Sequence, residues 1–256
     1  MIRFLLACLI VLPAAAAQAA DGDIVKSNES IRIDSGNTAG NVRTTNGSVN
    51  IASGAKVQTA TTTNGEIELA DDAGASALQT TNGGITIGAR GRATGSVTAT
   101  NGSIRLGKDA EIGGKVSAIN GSTDLDGAHV AGGIEARNGT VTIGPGSKVE
   151  GGVKTVDGAI MVGAGATVAG GILIEPADNS RCTRNCNDTG TTTFSGLVAA
   201  ILGSKDSAKP RVVIGPGAVV MGKLDFRRDV DLYVSDRAKT GPVEGATAKI
   251  FTGEKP

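Results

Sequence analysis

The chain has 256 residues, of which 39 are glycine and only 2% are aromatic, and its 25 basic and 25 acidic residues balance. This balance, with no basic stretch, argues against nucleic acid as a partner. The scarcity of aromatic residues argues against an ordinary globular core, whereas narrow stacked coils can be filled by aliphatic side chains alone.

The first 19 residues are typical of a secretory signal peptide. Arg3 provides the charged start, residues 4–12 an apolar run, and residues 17–19 an Ala-Gln-Ala cleavage site. The apolar run is too short to cross a membrane, so we expect no transmembrane span in the mature chain. Cys8 ends a lipoprotein-like Leu-Leu-Ala-Cys sequence, but cleavage there would leave almost no apolar region. We therefore expect a periplasmic or secreted protein, and association with the outer membrane stays open.

From residue 28 to residue 175 the sequence repeats with a period of 18 or 19 residues. Each repeat begins at an Asn-Gly pair, or at an Asp-Gly pair in the last case, and Asn28 with Glu29 forms a degenerate first copy. Asn-Gly pairs readily adopt the positive φ angles that tight turns need. A fixed period in this range predicts a solenoid, whose coils bury their apolar sides by stacking. The predicted corner residues are Asn46, Asn64, Asn82, Asn101, Asn120, Asn138 and Asp157.

Four columns of aliphatic or small residues keep fixed distances from these corners, at three and five residues after and at four and two residues before. Apolar and polar residues alternate around them, which indicates half-buried strands. Because the columns stay in register through repeats of either length, the extra residue must be absorbed at a corner. The pattern predicts an all-β fold, a three-sided parallel β-helix wound from a single chain. Coils stacked about 4.8 Å apart would allow the corner asparagines to bond one another.

The repeat is interrupted once. The apolar pattern stops at Pro176 and resumes at Lys209, where residues 212–217 resemble residues 141–146. Repeat proteins carry insertions in this way, by leaving and rejoining the stack at one corner. The resulting division is a signal peptide at 1–19, a lead-in or cap at 20–27, coils at 28–175, an insertion at 176–208, and final coils with a C-terminal cap at 209–256.

Two features of the insertion invite a functional interpretation. Cys182 and Cys186 are the only cysteines outside the signal peptide. In an exported chain such a pair predicts a disulfide, although with Asp178 or Asp188 it could also form an incomplete metal site. Further on, apolar residues at helical spacing predict a short amphipathic helix that packs on its own solenoid or contacts a partner. The residues of this apolar stripe are Phe194, Leu197, Val198, Ile201 and Leu202.

The sequence offers no catalytic constellation. Asp124 lies between two inward columns, and Asp71 with Asp72 lies at a corner, where carboxylates are usually solvated. His129, the only histidine, is flanked by inward positions and should point to solvent. Glycoside hydrolysis needs a pair of facing carboxylates, and a triad needs a base beside a nucleophile. We therefore expect no enzymatic activity, no cofactor and no metal, with a carbohydrate-active β-helix enzyme as the alternative.

A column of outward threonines just before the corners raises a further alternative, ligand binding. Thr45, Thr63, Thr81 and Thr100 form this column, and flat threonine arrays occur on ice-binding solenoids. The column breaks at Ile119, so a ladder of residues with high β-propensity is the favoured interpretation.

Three stretches, 141–153, 160–172 and 213–224, resemble the Ile-Gly-x-Gly-Ala-x-Val-x-Gly-x-Ile turns of bactofilins. Bactofilins are polymer-forming bacterial scaffold proteins, so the resemblance implies a right-handed triangular β-helix that self-assembles. Two features depart from that family: the export signal, since bactofilins are cytoplasmic, and the cysteine-containing insertion. The Asn-Gly coils also look like those of exported adhesin-type β-solenoids. We expect a structural or interaction protein of the bacterial envelope, whose partner is itself or another envelope component.

Overall fold

The structure is a computed structural model that describes residues 22–176 and 209–256. Within these ranges all regular structure is β, with 29 strands that pair only in parallel and no helix. The strands, numbered in chain order, stack into a solenoid of about ten coils. The prediction of an all-β parallel solenoid is confirmed.

Face 1 of the solenoid is a sheet of eleven short strands, one from each level of the stack. Ile31 pairs with Val49, Val49 pairs with Ile67, and the same column continues up the stack. This register confirms the predicted columns three and five residues after each corner. The strands of face 1 are β2 (Ile31–Ile33), β4 (Val49–Ile51), β6 (Ile67–Leu69), β8 (Ile85–Ile87), β11 (Ile104–Leu106), β14 (Thr123–Leu125), β17 (Val141–Ile143), β20 (Ile160–Val162), β23 (Arg211–Ile214), β26 (Asp231–Ser235) and β29 (Lys249–Phe251).

Faces 2 and 3 share an 18-stranded sheet that bends at the corner between them. Three nine-residue strands cross that corner in the first coils: β3 (Thr38–Asn46), β5 (Lys56–Asn64) and β7 (Gly74–Asn82). Later coils have a separate strand on each face. Those of face 2 are β9 (Arg92–Ala93), β12 (Glu111–Ile112), β15 (His129–Val130), β18 (Lys148–Val149), β21 (Thr167–Val168), β24 (Val219–Val220) and β27 (Lys239–Thr240). Those of face 3 are β1 (Ile24–Val25), β10 (Val97–Asn101), β13 (Val116–Ala118), β16 (Ile134–Ala136), β19 (Val153–Thr155), β22 (Ile172–Ile174), β25 (Leu224–Phe226) and β28 (Val243–Glu244).

The first 19-residue coil takes its extra residue at the corner between faces 2 and 3. Ala75 pairs with Ala93, and Leu78 pairs with Val97, so this corner is one residue longer in the later coil. The added residue prevents one continuous strand from crossing the corner, and β9 and β10 take the place of a nine-residue strand. The expectation that a corner absorbs the extra residue is confirmed.

The glycines of the Asn-Gly corners are required for close approach, and the expectation that these pairs supply positive φ angles is wrong. A Cβ atom on Gly102 would lie 1.9 Å from the carbonyl oxygen of Gly83, one coil below. The corner from face 1 to face 2 carries the left-handed backbone instead, because a tight turn closes there, as where the amide of Ala55 donates to the carbonyl oxygen of Ala52 at 3.0 Å. Its left-handed residues are Gly36, Gly54, Asp72, Arg90, Asp109, Gly127, Gly146, Gly165 and Gly217.

Candidate functional site: the corner ladder and the terminal coils

Seven stacked asparagines form a hydrogen-bonded ladder along the corner between faces 3 and 1. Nδ2 of Asn46 donates to Oδ1 of Asn28 at 2.8 Å, and the pattern repeats up to Asn138, whose Nδ2 donates to Asn120 at 2.8 Å. The ladder brings six of the predicted corner residues into one continuous array. Aligned amide side chains of this kind help to fix the register of stacked coils. The intervening members are Asn64, Asn82 and Asn101.

The ladder ends below Asp157, the last predicted corner, because a carboxylate has no N–H group to donate. Nη1 of Arg228 contacts Oδ1 of Asp157 and donates to the carbonyl oxygen of Val156 at 3.1 Å. Arg228 follows β25, which lies two levels above the coil that leads to Asp157. Its side chain therefore spans the intervening level, where the chain leaves the stack at Pro176 and returns at Lys209. This charged contact bridges the corner at the level of the insertion.

The predicted disulfide and the predicted amphipathic helix lie outside the described residues. The residues concerned are Cys182, Cys186, Phe194, Leu197, Val198, Ile201 and Leu202. Both features stay predictions.

The carboxylates considered for catalysis lie on the outer surface beside cations or polar neighbours. Asp124 lies in register between Arg105 and Thr142 on face 1. Within residues 22–176 and 209–256, no three histidine, cysteine or acidic side chains lie close enough together to hold a metal ion.

His129 lies in a charged cluster with Lys148 and Glu150 on face 2, and its partly exposed side chain points outward as expected. Its Nε2 lies 3.0 Å from Oε1 of Glu150, and Nζ of Lys148 lies 2.9 Å from the same oxygen. Hydrogen bonds from Lys148 and then His129 lower the pKa of Glu150. A carboxylate held ionised by two neighbours on an exposed surface is typical of a stabilising ion pair.

The last described coil leaves the interior of the solenoid uncovered. Ile250 pairs with the inward-facing Val234, yet 64% of its surface is exposed because no described strand stacks above it. In the described part of the chain β29 pairs only with β26, and β28 only with β25. The terminal residues Glu254, Lys255 and Pro256 line a groove on the outside of face 1. They therefore run beside the solenoid and do not cover its end.

The first described coil offers matching edges at the other end. β1 pairs only with β3, and β2 only with β4, so each has one edge without a partner among the described residues. Ile31 and Ile33 of β2 point inward and form the first layer of the core, with 4% and 5% of their surfaces exposed. An unpaired strand edge is a template for pairing with another chain.

Ile250 and Arg228 are the functional candidates that sequence reasoning missed. Ile250 continues an inward column but stands only 16 residues after Val234. This spacing is shorter than the 18- or 19-residue period that defines the repeat, so the period did not reveal it. Arg228 stands 71 residues from Asp157 in the sequence, so no local pattern links them. The only signal in the sequence was indirect. The corner due after Asp157 has no asparagine, so the ladder needs another contact to continue there.

An ion pair and a cation–π contact fasten β29 to β26 on the outside of face 1. Nζ of Lys249 lies 2.9 Å from Oδ1 of Asp231 and 5.1 Å from the ring centre of Tyr233. The guanidinium carbon of Arg211 lies 4.8 Å from the same ring centre. The hydrogen bond from Lys249, followed by its charge, lowers the pKa of Asp231.

Acidification should therefore loosen β29. The pKa of Asp231 is depressed in the folded chain, so the pair stabilises fully above the ordinary carboxylate pKa and is lost as pH falls through the depressed value. Both groups are exposed, so the effect should be small and should shrink in salt. Amide hydrogen exchange of residues 249–251, corrected for intrinsic rates, should rise at low pH in the wild type and change less in Asp231→Asn. An equal pH response in both proteins would contradict this assignment.

No family model, curated protein or solved structure matches this chain. The fold alone therefore defines its class, a parallel β-solenoid, and the bactofilin-like and adhesin-like identities stay predictions. Across the two described ranges, no helix is long and apolar enough to cross a membrane.

Proposed function

We propose that this chain is a non-enzymatic structural protein that assembles end to end, with the C-terminal coil of one copy stacked on the N-terminal coil of the next. The observation that carries the proposal is the exposed Ile250, an inward-facing residue at the open end of a continuous aliphatic core. A coil of a second copy placed above Ile250 would bury it, as Val234 and Ile214 of the same column are buried within the chain.

The two ends match in the order of their faces. The chain begins with β1 on face 3 and β2 on face 1, and it ends with β28 on face 3 and β29 on face 1. The next copy can therefore place β1 over β28 and β2 over β29 and keep every strand parallel. Ile24 would then stack on Val243, both of which are partly exposed, and Ile250 would meet the layer of β2, where Ile33 is already only 5% exposed.

The expected contact is specific and modest in strength. Burying one isoleucine contributes about 1.5–3 kcal/mol, and each added backbone hydrogen bond contributes about 1 kcal/mol. Two short strand edges and a few apolar residues therefore favour a concentration-dependent assembly. A head-to-tail contact without rotational closure produces an open rod.

We place this rod in the bacterial envelope. The predicted signal peptide at 1–19 and the predicted disulfide of Cys182 and Cys186 support an oxidising compartment outside the cytoplasm. The resemblance of residues 141–153 to bactofilin turns supports a scaffold role. The predicted apolar stripe from Phe194 to Leu202 would be available for lateral contacts with a second rod or with another envelope component.

Ile250→Asp is expected to abolish assembly at concentrations where the wild type forms heavy species in sedimentation velocity. Burying an unpaired carboxylate costs several kcal/mol, so the concentration needed should rise by about a hundredfold or more. Met221→Asp is the matched control, because Met221 is 62% exposed but lies on the flank after β24. If Ile250→Asp and Met221→Asp both assemble like the wild type, the contact does not use the open end.

A further inference from the structure

The corner repeat contains six Asn-Gly pairs, a sequence that is prone to spontaneous deamidation. The glycine has no side chain to shield its amide nitrogen, which can attack the side-chain carbon of the asparagine before it. The reaction requires the nitrogen and the side chain to leave their other contacts. The hydrogen bonds of each pair should therefore set its rate.

The first three pairs are held at both reacting groups. The amides of Gly47, Gly65 and Gly83 donate to the carbonyl oxygen of the next corner asparagine at 3.0, 3.0 and 3.2 Å. The side chains of Asn46, Asn64 and Asn82 each donate to the asparagine below and accept from the one above.

The later pairs lose these restraints one after the other. Within the described part of the chain, the amides of Gly102, Gly121 and Gly139 donate to no backbone carbonyl. Asn101 and Asn120 still have a ladder partner on each side. Asn138 donates to Asn120, but among the described residues no donor reaches its Oδ1, because Asp157 stands at the next corner.

We propose that Asn138 is a site of spontaneous deamidation in the folded protein and the first of the six pairs to react. The amide nitrogen of Gly139 loses its proton to hydroxide and bonds to Cγ of Asn138. The Cγ–Nδ2 bond breaks, and the nitrogen takes up a proton from water and leaves as ammonia. Water then opens the cyclic imide at either carbonyl, which gives aspartate or isoaspartate at this position.

The modification would change a corner two levels below the insertion, with Asp157 between them. An aspartate at position 138 cannot donate to Asn120 and adds a carboxylate below Asp157, where like charges repel. Isoaspartate also lengthens the backbone beside Gly139, where an added Cβ would lie 2.2 Å from the carbonyl oxygen of Gly121. Either product shortens the ladder by one member.

Peptide mapping of the folded full chain, incubated at mildly alkaline pH, tests the ranking directly. Asn138 should react fastest, Asn101 and Asn120 more slowly, and Asn46, Asn64 and Asn82 slowest. Each lost hydrogen bond should increase the rate about fivefold, so Asn138 should exceed Asn64 by more than tenfold. In denaturant the six rates should converge. Equal rates at Asn64 and Asn138 in the folded chain would overturn the proposal.

Asp157→Asn provides the second test, because it supplies an amide donor above Asn138. The rate at Asn138 should fall to that of Asn120, and the new Asn-Gly pair at position 157 should react at a similar rate, because Arg228 can still donate to its side-chain oxygen. A thermal melting measurement shows whether the variant is folded. If it is not folded, the ranking of rates in the wild type remains the test of the proposal. An unchanged rate at Asn138 in the folded variant would show that the ladder does not control the reaction.

Discussion

Gly102→Ala is expected to destabilise the solenoid by about 3 kcal/mol or more, although the residue lies at a surface corner. An added Cβ would lie 1.9 Å from the carbonyl oxygen of Gly83 and 2.3 Å from its carbonyl carbon. The two coils cannot separate there without strain, because Asn101 is paired with Asn82 through both backbone and side chain. The cost arises between stacked coils, since Gly102 has no positive φ angle.

Gly74→Ala is the matched control for this prediction. Gly74 begins β7, has no positive φ angle, and would place its Cβ against only Lys56 Cγ at 3.5 Å. Its replacement should leave stability unchanged or raise it by about 0.5–1 kcal/mol, because alanine loses less conformational freedom than glycine. The urea unfolding midpoint should therefore fall clearly in Gly102→Ala and stay unchanged or rise in Gly74→Ala. A midpoint for Gly102→Ala equal to that of Gly74→Ala would contradict the steric account.

Thr123→Val is expected to stabilise the protein by about 1–2 kcal/mol. Thr123 occupies an aliphatic column between Ile104 and Val141, with none of its surface exposed. Its Oγ1 has no hydrogen-bond partner among the described residues, so the folded chain carries the full cost of removing the hydroxyl from water. Valine has nearly the same shape and fills the site without a polar atom.

Thr62→Val makes the same chemical change at a threonine whose hydroxyl is satisfied. Thr62 is also buried, but its Oγ1 donates to the carbonyl oxygen of Gly47 at 2.8 Å. Its replacement should destabilise the protein by about 1 kcal/mol or more, because that bond is lost. Opposite shifts in thermal midpoint support this distinction. Shifts of the same sign would show that packing, and not hydrogen bonding, decides both sites.

The sequence was sufficient to predict the solenoid because its information is periodic. Val42 and Ile104 belong to columns that recur at a nearly constant distance from each Asn-Gly pair, and stacking places like residues above one another. The asparagine ladder follows from the same logic, since equal side chains at one corner must meet. The columns before Pro176 also resume in register after Lys209, as the repeat predicts.

Other features could not be predicted because they depend on contacts between coils. The need for Gly102 comes from the carbonyl group of Gly83, nineteen residues earlier, and local turn preferences suggested a different reason. The contact of Arg228 with Asp157 depends on how the chain bridges one interrupted corner. The exposure of Ile250 depends on where the stack ends, which the period alone does not specify.

The axial repeat of the assembled protein, measured by electron microscopy of the full chain, tests end-to-end stacking most directly. The described residues of each copy contribute eleven levels to face 1, so continuous stacking at about 4.8 Å gives a repeat of about 53 Å. We expect rods one solenoid wide with that repeat and with unbroken strand spacing across each junction. Particles that stay single at high concentration, or that associate side by side with free ends, would contradict the proposed assembly.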